Sequence, residues 1–182
     1  MAATLAADSD LALSGAGNAD ASAAAPIVFV AVPWEAHEPT LRALADVLAD
    51  RIVVDIVNPL QFDAQGPVGI AVAEGSAAEQ AYALLPRSTV VSGFHHVSAK
   101  LLADESAGID TDVLICGDDP DAKRQVMALA DLIPGARAVD AGPLRLSRFL
   151  EGFTAVILSV NHHYRSNTGV TMTNLDLGRA RT

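Results

Sequence analysis

Short apolar runs alternate along the chain with segments in which apolar residues recur every three or four positions. Five of these runs are bounded by Gly, Pro, Asn or Asp, as buried strands usually are; they are Ile27–Val32, Ile52–Val57, Thr89–Ser92, Val113–Cys116 and Ala136–Val139. Strands that are apolar throughout and separated by helices are typical of a parallel sheet covered on both faces. The pattern therefore predicts an α/β fold built on such a sheet.

The segments between these runs carry helix signals. The segment between the first two runs has an apolar stripe formed by Leu41, Leu44, Val47 and Leu48. Ser76 and Glu79 have the spacing of a capping box, in which each side chain satisfies an amide that the helix leaves free. Either Asp118 or Asp119 can cap a further helix, which tolerates Pro120 in its first turn. Helices are therefore expected between successive strands.

The longest helix is expected near the end of the chain, from about Leu144 to Tyr164. Its apolar residues recur at intervals of three and four and are Phe149, Phe153, Val156, Ile157 and Val160. Such a face packs across the sheet or pairs with a second subunit. The following tail contains one strand-like piece, Gly169–Thr173. We expect two parts, residues 1–142 with the sheet and residues 143–182 with this helix and the tail.

Composition limits the classes of partner. The chain has 182 residues, of which 51% are hydrophobic and 19% charged, which suits one domain or one domain with a small appendage. The formal net charge is -10 and the basic residues are scattered, whereas proteins that hold nucleic acid cluster Lys and Arg. Nucleic acid is therefore not expected as a main partner.

The sequence also bears on the cellular compartment. Cys116 is the only cysteine, so no internal disulfide can form and a reducing interior is expected. The first 25 residues lack Lys and Arg and contain Asp8 and Asp10, unlike a signal peptide. The longest apolar run, Ala23 to Trp34, is too short to span a bilayer. We expect a cytoplasmic protein without a membrane partner.

Three candidate binding motifs follow strands. Ligands of doubly wound sheets bind beyond the carboxyl ends of the strands. The first motif ends in Pro33 and Trp34, and Trp34 either offers a flat wall to a ring-shaped ligand or simply covers the core. The second contains Asn58 before Pro59, where the amide either points into the crevice or bonds its own backbone. The third, residues 93–99, contains His95 and His96.

The sequence does not favour a metal site, a serine hydrolase or a reactive cysteine. The adjacent histidines point opposite ways on an extended chain and have no third ligand at suitable spacing, so a metal site is not expected. The chain has no G-x-S-x-G elbow for a serine hydrolase. Cys116 lies inside an apolar strand, where a thiol is usually inert. No catalytic side chain is assigned.

Taken in order, the motifs resemble one protein family. The runs VFVAVPWEAH, IVVDIVNPL, EGSAAEQ, FHHVSA and DVLICGDD, together with the final helix, resemble the reductases that exchange a hydride between NADPH and the 8-hydroxy-5-deazaflavin coenzyme F-420 (abbreviated F420). The resemblance extends from about Ser14 to Asp176. It implies a mostly parallel, Rossmann-like sheet with a small helical C-terminal part, and an oxidoreductase; a homodimer is expected only from the apolar face of the last helix or from an open sheet edge.

The resemblance also implies which residues meet the two cofactors, NADP(H) and coenzyme F-420. Residues along the NADP crevice would be Val32, Pro33 and Trp34. Residues near the stacked rings would be Asn58, Pro59 and Leu60. Residues that border the deazaflavin pocket would be His95, Ser98 and Ala99. Because the cofactors carry the reacting atoms, the protein need only stack the rings and exclude water.

The chain differs from the family at its beginning. Family members open with a strand, a glycine-rich turn, a helix and a second strand, and this first βαβ unit has no counterpart here. Its absence would leave Ile27–Val32 as an open, apolar edge strand, which invites pairing with another chain. Three explanations stay open: a start upstream of Met1, a dimer across the edge, or a remnant. The alternative function is a truncated deazaflavin-binding module without turnover.

Overall fold

The computed structural model describes residues 13–104 and 108–176, and its centre is a five-stranded sheet. In spatial order, the sheet contains β1 (Ile27–Val30), β2 (Ile52–Asp55), β5 (Thr89–Ser92), β6 (Thr111–Gly117) and β7 (Ala136–Gly142). A separate two-stranded hairpin consists of β3 (Leu60–Asp63) and β4 (Gly66–Gly69). The α/β class with a mostly parallel sheet is confirmed.

Six α-helices accompany the sheet within the described residues. They are α1 (Asn18–Ala23), α2 (Trp34–Leu44), α3 (Ala77–Leu84), α4 (Ala99–Leu102), α5 (Pro120–Ala130) and α6 (Ser147–Tyr164), the last preceded by a 3-10 turn at Leu144–Leu146. One buried cluster joins α2 and α3 to one face of the sheet, and a second joins α5 to the other face. Helices therefore cover both faces.

The direction of the strands decides where a ligand can bind. The pairs β1–β2, β2–β5 and β6–β7 are parallel, whereas β5 and β6 are antiparallel, with Val91 opposite Gly117. The sheet is therefore mostly parallel, with one antiparallel pair. The carboxyl ends of β1, β2 and β5 consequently lie together at one edge, and those of β6 and β7 lie at the opposite edge.

Several element boundaries differ from the expected ones. The first two strands end at Val30 and Asp55, two residues earlier than expected, because the chain turns away before Pro33 and Pro59. The β3–β4 hairpin was not expected at all. The strand-like piece Gly169–Thr173 forms no strand, although Val170 exchanges hydrogen bonds with the beginning of β6.

Helix capping follows the sequence signals in part. The Ser76 hydroxyl accepts a hydrogen bond from the Glu79 amide at 3.0 Å, as expected. The Glu79 carboxylate accepts from the Ser76 hydroxyl rather than from its amide. Asp119 caps α5 through the Ala122 amide at 2.8 Å, while Asp118 accepts from the amide of a residue before α6. The two aspartates thus have different roles.

Helix α6 buries a largely polar side and leaves three residues of its expected apolar stripe exposed. Its apolar residues Phe149, Phe153 and Val156 are exposed by 67%, 39% and 51%. The side that faces the protein is buried and largely polar, consisting of Ser147, Glu151, Thr154, Ala155 and Ile157. Of the expected apolar stripe, Ile157 is buried, but Phe149, Phe153 and Val156 do not pack inward, because the buried polar side chains have partners on neighbouring elements. Pairing of this face with a second subunit, the other alternative, stays a prediction.

Glu151 is the buried polar side chain of α6 that bonds to α3. Its carboxylate accepts hydrogen bonds from the amides of Ala77 (2.8 Å) and Ala78 (3.2 Å), the first residues of α3. These amides have no partner within the helix, and the positive end of the helix dipole favours an acidic group there. Burial raises the pKa of Glu151 to about 7, although the two amide hydrogen bonds act in the opposite direction. Glu151 therefore ties α6 to α3.

The outer edge of β1 is open in the described part of the chain. Residues of β1 pair with β2 on one side, and a cavity of about 280 Å³ lies beside the strand, between α1 and α2. The Phe29 side chain of β1 is 42% exposed. The expectation that the first apolar run forms an edge strand is confirmed.

The far side of the sheet contains a second buried carboxylate. Asp112, 2% exposed, accepts two hydrogen bonds from the Arg137 guanidinium at 2.6 and 2.7 Å. It also accepts from the Met172 amide, which fixes the tail against β6. The hydrogen bonds from Arg137 lower the pKa of Asp112. This pair stabilises the β6–β7 half of the sheet.

We predict that the stability of the protein depends on pH through Glu151. The pKa is about 7 in the folded chain and 4.5 in the unfolded chain, so the folded state binds more protons between these values. This contribution to stability is complete below pH 4.5 and is lost as the pH rises through 7. In Glu151→Gln it disappears, because the amide does not titrate.

Urea unfolding of both proteins at pH 5 and pH 7.5 measures this effect. The wild-type protein should lose more free energy of unfolding over this interval than Glu151→Gln does. An equal loss in both proteins would show that Glu151 does not carry the effect.

Candidate functional site

Three loops meet where β1, β2 and β5 end. They contain residues 31–33, 56–59 and 93–98, respectively. Because the three strands are neighbours and parallel, their carboxyl ends share one edge of the sheet. Eight of the nine residues expected to meet the cofactors follow these strands directly or begin the next helix; Leu60 begins the hairpin. This edge is therefore the candidate functional site.

The first loop places Trp34 at the start of α2. Pro33 precedes the helix and is exposed, whereas Val32 is half-buried and packs on the first core cluster. Trp34 is also half-buried, and its ring stacks on His37 with a centroid distance of 5.5 Å and an interplanar angle of 27°. Trp34 therefore helps to cover the core and still presents part of its surface outside it.

The second and third loops are joined by side-chain hydrogen bonds. The Asn58 amide nitrogen donates to the His95 carbonyl oxygen at 3.1 Å. The Asn58 amide oxygen lies 3.1 Å from the His95 Nδ1 atom. The alternative in which Asn58 bonds its own backbone is not what is found. The turn is made instead by Asp55, which accepts from the Val57 amide at 3.0 Å.

These contacts fix the state of the His95 ring. A carbonyl oxygen can only accept, so the Asn58 nitrogen faces it and the Asn58 oxygen faces Nδ1, which must therefore carry the proton. Burial lowers the pKa of His95 to about 3, and the neighbouring His96 acts in the same direction. The ring is thus neutral near pH 7, and Nε2 is left as an acceptor.

The Nε2 atom of His95 is buried and has no hydrogen-bond partner among the described residues. A buried polar atom without a partner costs about 1–3 kcal/mol, so such atoms are uncommon. A bound molecule with an N–H or O–H group would satisfy it. This atom is the strongest indication of a ligand at this edge.

The remaining expected residues have less specific surroundings. Pro59 is buried, and Leu60, half-buried, begins β3. The Ser98 hydroxyl accepts from the Leu101 amide at 3.3 Å and so caps α4, a role that competes with ligand binding. Ala99 is exposed at the start of α4. These four residues lie near Asn58 and His95 in the chain, but no polar contact joins them.

The loop after β5 also contains Phe94, which the sequence did not single out. Its φ angle is 62°, in the left-handed region that bulky residues rarely adopt. Its ring packs edge-on against Phe29 at 5.5 Å. Strained backbone of this kind persists where the surroundings hold it, and functional sites are common places for it.

A residue of α6 completes the site. Thr154 is buried, and its hydroxyl donates to the His95 carbonyl oxygen at 3.0 Å. Thr154 could not be found from the sequence, because it lies on the polar side of a helix whose apolar side carried the sequence signal. Helix α6 therefore fixes the loop after β5 through this hydrogen bond.

His96 points away from these contacts. Neither of its ring nitrogens has a hydrogen-bond partner among the described residues, and its ring meets Phe153 edge-on at 6.4 Å. Burial lowers the pKa of His96, against a smaller effect of the Asp112 backbone. The two adjacent histidines thus occupy different environments.

Two buried residues behind the site were also missed. His37 and Asp55 are fully buried, and the His37 Nε2 atom lies 2.6 Å from the Asp55 carboxylate. A signal existed for His37, because it lies four residues before Leu41 and so continues the apolar stripe of α2. A polar residue on a buried stripe usually has a polar partner.

The site offers shape and hydrogen bonding rather than a reactive side chain. The Cys116 thiol is buried, and burial raises its pKa to about 11, which makes it a poor nucleophile. In residues 13–104 and 108–176, no three His, Cys, Asp or Glu side chains are grouped so that they could hold a metal ion. The helices of the same residues include none with the length and apolarity needed to cross a membrane.

Comparisons with known proteins give one consistent result. A sequence model described as NADP oxidoreductase, coenzyme F420-dependent, matches residues 2–59. The F420-dependent NADP reductase of Methanocaldococcus jannaschii is 36% identical over 166 residues, which cover 90% of this chain and 74% of that protein. The enzyme of the same name from Methanothermobacter thermautotrophicus is 34% identical over 171 residues, or 91% of this chain and 74% of that protein.

A solved structure agrees with the sequence relatives. It is that of a candidate F420-dependent NADP reductase from Arthrobacter sp. FB24, which superimposes with a TM-score of 0.78 at 27% sequence identity. The superposition covers 87% of this chain and 74% of that one. The similarity therefore extends over most of the chain.

Proposed function

The chain belongs to the F420-dependent NADP reductases, and we propose that the edge formed by the three loops is where it transfers a hydride between NADPH and coenzyme F420. The assignment of the reaction rests on family membership, since relatives of that name are 33–36% identical over about nine-tenths of the chain. The proposed location of the reaction rests on the structure of the site. The buried, unpartnered Nε2 atom of His95 is the single observation that favours this edge.

The residues at the edge fit a flat, hydrogen-bonding ring. His95 offers an acceptor and Trp34 a partly exposed aromatic face. When bound, the two cofactors would supply the chemistry: a hydride (two electrons with one proton) would pass from NADPH to the oxidised deazaflavin, leaving NADP⁺, and the reduced ring would take one further proton from solvent. Among the described residues, no glycine-rich strand–turn–helix unit cradles a pyrophosphate, so no contact to the NADP phosphates is assigned.

We assign nine residues to cofactor binding on this basis. Those proposed to line the NADP crevice are Val32, Pro33 and Trp34. Those proposed to approach the stacked rings are Asn58, Pro59 and Leu60. Those proposed to border the deazaflavin are His95, Ser98 and Ala99.

None of these residues is proposed to act as an acid, base or nucleophile. Positioning two reactants can supply about 7–11 kcal/mol of a barrier without such groups. Asn58 and Thr154 hold the loop of His95, and His95 orients the ring by accepting one hydrogen bond. The role of the protein is therefore to position two rings and to keep water away.

The reaction itself gives the first prediction. The purified chain is titrated with oxidised coenzyme F420 and then receives NADPH, while the visible absorbance of the coenzyme is followed. Bleaching is expected, because hydride transfer removes the oxidised chromophore. Binding without bleaching would contradict the proposal and support a deazaflavin-binding module instead.

His95 gives the second prediction. His95→Ala should weaken the binding of oxidised F420 by about fivefold, since one hydrogen bond contributes on the order of 1 kcal/mol. The measurement is an absorbance titration of the coenzyme. The matched control is His163→Ala, an exposed histidine at the end of α6, which should bind as the wild-type protein does. Equal affinity of His95→Ala and the control would remove the role of His95.

We further propose that the chain forms a homodimer through the exposed side of α6. Phe149, Phe153 and Val156 form an uncharged apolar stripe, and Gly152 beside it leaves open space above its backbone. Exposed apolar patches of this kind mark interaction surfaces, and two copies of one stripe can meet about a twofold axis. The sequence pattern of this helix, with apolar residues every three or four positions, supports the same surface.

The dimer gives the third prediction. Phe149→Glu should shift the protein from dimer to monomer, because it places a charge in the stripe. Light scattering after size-exclusion chromatography measures the mass. The control is Leu132→Glu, which changes an apolar residue that is 76% exposed on another part of the surface and should stay dimeric. A monomeric wild-type protein would refute the proposal.

Two further assignments stay predictions. A cytoplasmic location is supported by the single, buried thiol of Cys116, which suits a reducing compartment. The division at residues 142 and 143 separates the sheet from α6 and the tail, and the tight contact of Glu151 with α3 means that the two parts would unfold together.

A further inference from the structure

A buried ion pair lies directly behind two of the three loops. His37 and Asp55 are both 0% exposed, and the His37 Nε2 atom lies 2.6 Å from an Asp55 carboxylate oxygen. The proposed reaction uses neither side chain. Replacing a buried ion pair by well-packed apolar residues is often neutral or stabilising, so stability alone does not explain such a pair.

The surroundings of His37 require a doubly protonated ring. The Gln80 amide nitrogen lies 3.4 Å from the Glu74 carboxylate, which can only accept, so the Gln80 oxygen faces the His37 Nδ1 atom at 2.9 Å. Both ring nitrogens of His37 therefore donate, one to Gln80 and one to Asp55. The pair consists of an imidazolium and a carboxylate.

The groups around this imidazolium act in opposite directions. Burial by itself lowers the pKa of His37, but the hydrogen bond and charge of Asp55 on β2, the hydrogen bond of Gln80 on α3 and the charge of Glu151 on α6 raise it, and the net shift is upward. A group with a raised pKa stabilises the fold below its unfolded value and loses this effect as the pH rises through its folded value.

Each member of the pair also contacts one loop of the site. The His37 ring stacks on Trp34, which begins α2 at the end of the first loop. The second carboxylate oxygen of Asp55 accepts from the Val57 amide and so shapes the turn that leads to Asn58. The pair therefore joins the loop after β1 to the loop after β2.

We propose that His37 and Asp55 are positioning residues that hold Trp34 and Asn58 in register with each other across the cofactor crevice. This inference rests on the proposed function for the use of the crevice, although the pair itself can be tested without any cofactor. Neither residue touches the bound rings; both act through the two loops. Loss of the pair should loosen the crevice before it unfolds the protein.

Trp34 is the only tryptophan of the chain, so its fluorescence reports on the pair. A protonated imidazole stacked on an indole quenches its emission. In the wild-type protein without cofactor, emission should rise as the pH increases through the titration of His37. In Asp55→Asn this rise should move by at least about one pH unit toward acid, because the partner charge that favours the imidazolium is lost. In His37→Gln the rise should vanish.

Coenzyme binding is the second measurement. Asp55→Asn keeps the shape of the side chain and an acceptor for the Val57 amide, yet it should weaken the binding of oxidised F420 by about tenfold, since the loops are no longer held in place before binding. The matched control is Asp112→Asn, which breaks the other buried carboxylate pair at β6 and β7. The control should lose stability but keep both the Trp34 titration and the affinity.

The outcomes separate this inference from the proposed function. A Trp34 titration that is unchanged in Asp55→Asn and His37→Gln, or one that moves equally in Asp112→Asn, would overturn the positioning pair. A normal affinity for F420 in Asp55→Asn would overturn it as well. If the wild-type protein fails to bind F420, the proposed function fails, and the Trp34 titration alone then decides whether the pair holds the two loops.

Discussion

The polar inner side of α6 is the interaction on which the arrangement depends. Glu151 accepts hydrogen bonds from the free amides at the start of α3, and Thr154 donates one to the carbonyl oxygen of His95. One helix therefore fixes both the helix that carries Gln80 and the loop that carries His95. Since the inner side is largely polar and bonded, Phe149, Phe153 and Val156 are left on the outside. The polar inner side of α6 thus accounts both for the exposed stripe and for the ordered site.

The sheet adds a second constraint. Three parallel neighbours, β1, β2 and β5, bring their carboxyl ends to one edge, and the reversal between β5 and β6 separates that edge from the ends of β6 and β7. The site therefore draws on only three strand ends. Within it, the hydrogen bonds between Asn58 and His95 leave one buried acceptor atom without a partner. A reaction between two bound rings needs such orientation more than it needs a reactive side chain.

Much of the fold could be predicted from the sequence, because buried strands and helix caps depend on local patterns. All five strands of the sheet and the capping role of Ser76 were predictable in this way, and so was a cap at Asp118 or Asp119. The orientation of α6 was not, since its period shows that one side is apolar but not which side meets the protein. The β3–β4 hairpin was missed because Leu60–Asp63 and Gly66–Gly69 contain few strand-forming residues.

The candidate site was predictable only as a set of motifs. Their position after strands indicated a common edge, and the family resemblance indicated the chemistry. The hydrogen bond between Asn58 and His95 could not be predicted from the sequence, because the two residues are 37 positions apart. The ion pair of His37 and Asp55 also depends on tertiary contact, although the place of His37 on the stripe of Leu41 was a usable signal.

The central claim is that the edge holds a ring through the Nε2 atom of His95, and nitrogen-15 NMR of the histidine side chains tests it most directly. In the free protein, His95 should show a protonated Nδ1 and an unprotonated Nε2 at every pH from 5 to 8. On addition of oxidised F420, the Nε2 resonance should move in the direction of an accepted hydrogen bond while Nδ1 stays unchanged. An Nε2 resonance that does not respond, or one that is protonated in the free protein, would contradict the account.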